Sequence, residues 1–190
     1  MSSPFHAVAA DWLHQSVVEI RLDESTGSGF TWGFDVVVTN AHVARASRLR
    51  VRLPDGQMRS ARLRLADSDR DLAVLDVPGL GLPAVVRRDP LLLRPGESVF
   101  AIGCPFGVRF AFCSGIVHAV GRLPPGYPVP ERVRRRTWVQ ADLRLAPGNS
   151  GGPLADADGR VVGMNTMIAG GLALAIPVTE VDVVLRRRAA

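Results

Sequence analysis

The 190-residue sequence contains no lysine; all 23 of its basic residues are arginine. Chemistry that needs a lysine ammonium is therefore excluded: a Ser–Lys hydrolytic dyad, a Schiff-base lysine, a phosphate-binding P-loop. Cysteine is nearly absent, with Cys104 and Cys113 alone. Two thiols make neither a disulfide framework nor a zinc site, and no metal or cofactor is expected. The segment between them reads as a hairpin turn across which they could face each other, although in a reducing compartment they are expected as thiols. No apolar run approaches the ~20 residues of a membrane-spanning helix. The start, Met1 to His6, lacks the basic cluster and long apolar core of a secretory leader. A cytoplasmic location is the expectation, with a trimmed export segment as the alternative.

What is present describes a folded β protein. Hydrophobic residues make up 47% of the chain, enough for a sizeable core. The clearest pattern is the alternation Arg48-Leu49-Arg50-Val51-Arg52-Leu53, a Pro54-Asp55-Gly56-Gln57 turn, and Ala61-Arg62-Leu63-Arg64-Leu65. Period two puts Leu49, Val51, Leu53, Leu63 and Leu65 on one face and the arginines on the other. A solvated exterior explains that arginine face better than a phosphate-binding patch does, because no aromatics interleave for base stacking. The formal net charge of +5 is likewise read as composition rather than as a nucleic-acid signal. Residues 5–14 predict a short helix with Phe5, Val8 and Trp12 on one side. Ser25 to Gly29 reads as a turn, 78–95 as a connection between two lobes, and 123–136 as a loop. A last helix is expected over 179–190, with Thr179 as its N-cap, acidic residues first and arginines last.

Three motifs carry chemistry. Ala146-Pro147-Gly148-Asn149-Ser150-Gly151-Gly152-Pro153 sets a serine among glycines, where backbone passes close to a ligand and the amides of Gly148 and Ser150 can point forward with the hydroxyl. That is the geometry of a nucleophile beside an oxyanion hole. Val36-Val37-Val38-Thr39-Asn40-Ala41-His42 is a β-branched run ending in a candidate base. Asp71 heads the apolar Leu72-Ala73-Val74-Leu75, whose burial favours it over Asp67 and Asp69 as the group that orients the imidazole. The other histidines are His6 and His14 in the N-terminal helix and His118 on a strand.

The order His42, Asp71, Ser150 and the motifs around them resemble HtrA/Deg-type serine proteases of the chymotrypsin-like class. The resemblance continues through Gly27-Ser28-Gly29-Phe30, Ala101-Ile102-Gly103-Cys104-Pro105-Phe106-Gly107, Ser114-Gly115-Ile116-Val117 and Ala175-Ile176-Pro177-Val178, and covers roughly residues 16–178. It implies an all-β fold of two antiparallel six-stranded barrels with short terminal helices, the first over about 16–85 and the second over about 95–178. It implies a serine endopeptidase acting on extended or unfolded polypeptide, with His42, Asp71 and Ser150 catalytic. Substrate would add as a strand along Thr166-Met167-Ile168, and Leu145 and Ala173, the latter where relatives commonly carry glycine, would shape a pocket for a small aliphatic side chain. The alternation Asp142-Leu143-Arg144-Leu145 turns Arg144 away if Leu145 lines that pocket; an inward Arg144 would instead select glutamate or aspartate. Asn149 stands where digestive relatives carry an aspartate, so activation by a new N-terminus is not expected. The resemblance further suggests a homotrimer assembled through the N-terminal segment. The competing readings are a catalytically silent binding module on the same fold and, behind it, an arginine-rich nucleic-acid binder.

Overall fold

Short β-branched and apolar runs, punctuated by glycine and proline, close two barrels in the computed structural model, which describes residues 4–22, 25–108 and 110–186. The first barrel contains β1 (Val17–Leu22), β2 (Ser25–Gly33), β3 (Val36–Thr39), β4 (Arg48–Arg52), β5 (Met58–Asp67) and β6 (Leu72–Asp76). Its strands neighbour one another in the order β1-β2-β3-β6-β5-β4, and pairing of β1 with β4 closes it. The second contains β7 (Ser98–Gly103), β8 (Ala111–Gly121), β9 (Trp138–Asp142), β10 (Pro153–Asp156), β11 (Val161–Ala169) and β12 (Leu172–Pro177). Its order is β10-β11-β12-β9-β8-β7, closed by β7 on β10. All these pairings are antiparallel, as the resemblance implies.

Two apolar clusters fill the barrels, and a third joins them. Val18, Ile20, Val37, Val51 and Leu75 pack inside the first, and Val99, Val117, Val139, Leu154 and Ala175 inside the second. The third cluster takes Phe30, Val38 and Leu72 from the first barrel and Phe100, Trp138 and Met164 from the second. Alternation explains the split: Val37 faces its own barrel, while Val38, one residue on, faces the neighbouring one. Burial on both faces is why β3 reads as an unbroken apolar run rather than an alternating one.

Several expectations change. The β4–β5 hairpin buries Leu49, Val51 and Leu53 as patterned, but a bulge between Leu63 and Leu65 sends these two to different clusters and leaves both half-buried. The 123–136 loop contains a short helix, α2 (Glu131–Arg134), after the α1 helix (Pro4–His14) at the start of the chain. On α1 the docking face is Ala9 and Leu13, whereas Val8 and Trp12 point outward; the side chain of Phe5 lies outside the described residues. The last helix, α3 (Val178–Arg186), begins one residue before Thr179, which therefore sits inside its first turn rather than capping it. Arg187 and Arg188 lie outside the described residues. The two cysteines are not bonded to each other: Cys113 stands opposite Ala101 across β7–β8, and Cys104 lies beyond the end of that ladder.

The connection over residues 78–95 is fastened to both barrels. Val85 N–H donates to Thr31 of the first barrel, and Arg88 N–H donates to Val161 of the second. The Arg88 guanidinium binds Glu97 at 2.8 Å and Asp156 at 3.3 Å, and its hydrogen bond to Glu97 is the main reason that carboxyl lies below its ordinary range. These contacts, together with the shared core, fix how the barrels face each other and thus what meets between them.

Candidate active site

Asp71 sits in left-handed backbone, with φ at 55°, between β5 and β6. Aspartate tolerates that conformation better than most residues, and here the turn aims both carboxylate oxygens at His42. One oxygen accepts from the His42 backbone N–H at 2.9 Å, and the other lies 2.8 Å from His42 Nδ1. His42 follows β3, whose pairing with β6 brings the two loops to the same end of the first barrel. The Asp71 turn is braced from the second barrel: Arg136 donates to the Arg70 carbonyl at 2.8 Å, and Arg70 reaches Glu180 of α3 at 3.0 Å. Asp67 is a second carboxylate partner of Arg70, at 2.8 Å. The remaining histidines stand apart. His14 packs edge-on against Phe110 and burial lowers its pKa, while His118 is exposed on β8.

Ser150 enters from the second barrel, on the turn before β10. Its hydroxyl lies 3.3 Å from the Thr166 carbonyl, and no hydrogen bond joins it to His42 among the described residues. Gly148, two residues earlier, has φ at 104°, and a Cβ there would collide with the backbone of Cys104 and Pro105. The Pro147 carbonyl is drawn aside by the Phe106 amide at 3.0 Å. Among the described residues the Gly148 and Ser150 N–H groups meet no acceptor, which leaves two donors beside the serine hydroxyl.

Thr166, Met167 and Ile168 lie on β11 past the point where β10 leaves it, since the β10–β11 ladder begins with Pro153 opposite Met164. One edge of this stretch pairs with β12, and no strand of the described residues covers the other. The strand thus continues past Asn165 and is turned back at Gly170-Gly171. Leu145, Pro147, Ser150, Thr166, Met167 and Ile168 line a pocket of about 170 Å³. Ala173 is not among its lining residues; it pairs with Ile168 across the ladder but is buried in the second barrel's cluster. Arg144 is exposed and lines no part of the pocket, in keeping with the alternation that turns Leu143 inward.

Residues outside the expected set hold these parts together. Ser28 of β2 is buried at the junction of the barrels. Its hydroxyl donates to the Gly148 carbonyl at 2.7 Å and accepts from the Cys104 amide at 2.9 Å, while its own amide donates to the Ser150 carbonyl at 2.9 Å. Thr39 Oγ1 donates to the Ser28 carbonyl at 2.7 Å. The Asn40 side-chain amide donates to the Asp71 carbonyl at 2.9 Å and to Thr166 Oγ1 at 3.0 Å, spanning the barrels. The signal for Ser28 was its place between two glycines. Gly27-Ser28-Gly29 is strand rather than turn, and its glycines answer to close packing: a Cβ would strike Val43 at Gly27 and Val37 at Gly29.

Comparison with known proteins agrees with this architecture. The trypsin-like peptidase domain family matches residues 27–164. A protein of Halomonas elongata named "Probable periplasmic serine endoprotease DegP-like" is 42% identical over 163 residues, 81% of this chain and 33% of its own length. One of the same name from Pseudomonas putida W619 is 43% identical over 167 residues, 83% of this chain and 33% of its own. Among solved structures, "HtrA-type protease AlgW with tripeptide" superposes with a TM-score of 0.85 at 33% identity, over 95% of this chain and 62% of that one. The chain thus spans about a third of the length of these curated relatives. Their names also overturn the expected cytoplasmic location: periplasmic relatives point to an exported protein. By fold and by sequence, the chain belongs to the trypsin-like peptidase family, with the HtrA/DegP-type serine proteases as its relatives.

Proposed function

We propose that this chain is a serine endopeptidase that cleaves extended polypeptide through His42, Asp71 and Ser150. The single observation that carries the reading is the pair of hydrogen bonds that the Asp71 carboxylate accepts from His42, at 2.9 and 2.8 Å, together with a serine turn whose two amides meet no acceptor among the described residues. Asp71 holds the proton on Nδ1, which leaves Nε2 free to accept one. On binding, the Ser150 hydroxyl turns from Thr166 to His42, gives its proton to Nε2 and attacks the scissile carbonyl carbon. The Gly148 and Ser150 amides receive the oxyanion. The tetrahedral adduct collapses, the C–N bond breaks and the amine leaves with the proton from His42. Water, deprotonated by the same imidazole, then hydrolyses the acyl ester and restores Ser150. A fluorophosphonate that forms a covalent bond with Ser150 tests the reading: wild type labels stoichiometrically and Ser150→Ala does not. Absence of labelling in the wild type, with no peptide hydrolysed, would leave the silent binding module as the answer.

The open edge of β11 at Met167 and Ile168 supports binding of substrate as an added strand, in which main-chain pairing supplies affinity with little demand on sequence. The small pocket, with Leu145 and Ile168 on its walls and Arg144 outside, suits a short aliphatic side chain before the cleaved bond. Peptide-library profiling is expected to return valine or alanine there; an acidic preference that Arg144→Ala abolishes would reverse the assignment.

The outward Val8 and Trp12 of α1 support self-association through the N-terminal segment, with a trimer as the expected state. Sedimentation at micromolar concentration is expected to show a species heavier than the 20.4 kDa chain, and deletion of residues 1–14 to dissociate it. A single monomeric species in the intact chain would refute this part.

A further inference from the structure

A concavity of about 820 Å³ lies away from the serine, on the outer wall of the first barrel. Five arginines line it: Arg21 of β1, Arg48, Arg50 and Arg52 of β4, and Arg62 of β5; Asp76 is its one acidic residue. Solvation alone accounts poorly for how they are arranged. Arg21 stands directly opposite Arg50, and Arg48 directly opposite Arg62. Like charges facing each other across a ladder destabilise it, and a face needing only solubility avoids them.

Some arginines elsewhere are paired, although others, Arg45, Arg94 and Arg144 among them, have no carboxylate partner among the described residues. Arg70, Arg88, Arg135 and Arg160 each bind at least one carboxylate. Of the groove's arginines, Arg52 and Arg21 are held by the buried Glu19, which is not on the lining, at 3.4 Å and 3.9 Å, and Arg62 is held by Asp76 at 3.5 Å. Among the described residues, Arg48 and Arg50 have no carboxylate partner. Two exposed guanidiniums thus stand unneutralised at the centre of a positive trough.

A short stretch of chain separates the groove from the site of the proposed chemistry. Ala46, on its lining, is four residues beyond His42, so at most about 14 Å of chain separates them. Arg45, between the two, donates to the His42 carbonyl at 2.6 Å. A polypeptide whose one half pairs with β11 of the second barrel extends its other half past Ser150 toward the first. On β4 the outward arginines recur every second residue, about 6.7 Å apart, which is the repeat of same-side residues in an extended peptide. Guanidinium recognises carboxylate in a planar, two-point geometry that suits this spacing. No aromatic residue lines the groove, so it offers no platform on which nucleotide bases could stack.

We infer that this groove is an exosite for acidic, extended segments of polypeptide substrates, centred on Arg48 and Arg50. The inference rests on the endopeptidase reading, and it separates what the pocket selects at the cleaved bond from what the barrel wall selects farther along the chain.

The test has a binding arm and a cleavage arm. In the first, full-length Ser150→Ala is titrated with a fluorescein-labelled peptide of alternating aspartate and serine, with its asparagine counterpart, and with oligothymidylate. The acidic peptide is expected to bind at least about tenfold more tightly than the neutral one at low salt, and the margin to shrink as salt rises. Arg48→Gln/Arg50→Gln should erase it, and Arg48→Glu/Arg50→Glu should shift preference to a basic peptide. In the cleavage arm, a peptide with one scissile sequence carries either an acidic or a neutral tail. Wild type should show a KM about tenfold lower for the acidic tail with kcat unchanged, and the double glutamine variant should lose only that difference. Equal binding of acidic and neutral peptides, or a preference for oligothymidylate over the acidic peptide, would overturn the exosite. Acidic-peptide binding in a wild type that cleaves neither peptide would overturn the endopeptidase reading and leave the groove standing as a binding surface.

Discussion

Asp71→Asn is expected to lower kcat by roughly 10⁴ while leaving the fold and substrate affinity in place. The substitution is unusually clean at this position. Asparagine tolerates the left-handed backbone that Asp71 adopts at φ 55°, so the turn survives. One side-chain oxygen must still accept from the His42 backbone amide, as Asp71 Oδ1 does at 2.9 Å. The other atom facing His42 Nδ1, now 2.8 Å from a carboxylate oxygen, becomes an NH₂ donor. A donor there forces the imidazole proton onto Nε2, the nitrogen that has to take the serine proton. The base is then present, correctly placed and in the wrong tautomer. Ser150→Ala and His42→Ala are expected to reach the same floor by removing the nucleophile or the base. Steady-state kinetics on an unfolded protein substrate, with thermal unfolding as the check on folding, measures all three. Activity in Ser150→Ala above background would sink the assignment of the nucleophile, and near-normal activity in Asp71→Asn would remove Asp71 from it.

How much of this was legible beforehand follows from what each residue's signal depends on. Triad candidates announce themselves because each lies in a local pattern: His42 closes a β-branched run, Asp71 opens an apolar one, and Ser150 sits among glycines that its turn requires. The β4–β5 hairpin was equally local, until the bulge at Leu63 and Leu65 broke its period. What stayed hidden were contacts between segments far apart in the chain. The face of α1 that docks is decided by what it meets, and Ala9 and Leu13 win over the larger Val8 and Trp12. The inter-barrel core draws on both lobes, so no window of sequence shows it. Ala173 looked like a pocket wall by position along the strand, but the register against Ile168 buries it in the barrel instead. The arginine face was visible as alternation; its like-charged cross-strand pairs and its concavity were not, because they depend on β1 lying beside β4.

Ser28→Ala is expected to lower kcat by about 10²–10³, with KM changed far less, although the hydroxyl touches neither substrate nor base. Ser28 is a positioning residue. Its Oγ is the donor that fixes the Gly148 carbonyl at 2.7 Å and the acceptor that holds the Cys104 amide at 2.9 Å. Removing it takes the Ser28 donor from the buried Gly148 carbonyl, a loss worth roughly 1–3 kcal/mol. Relief comes from a shift of the Gly148–Asn149 backbone that releases the Gly148 carbonyl and carries the adjoining Gly148 N–H out of the position that receives the oxyanion. Ground-state binding along β11 does not use that amide, so the loss falls on the transition state. A purely structural role would lower stability and the fraction of active sites without altering turnover per site. Titrating the sites with a covalent serine label therefore separates the two, as does a peptide aldehyde, which forms a tetrahedral adduct that needs the same amides. Affinity for the aldehyde should fall in parallel with kcat, while affinity for an uncleaved peptide holds. Ser28→Cys, with a weaker donor of similar shape, should recover part of both. Unchanged turnover per labelled site in Ser28→Ala would show that Gly148 is held by the glycine turn alone.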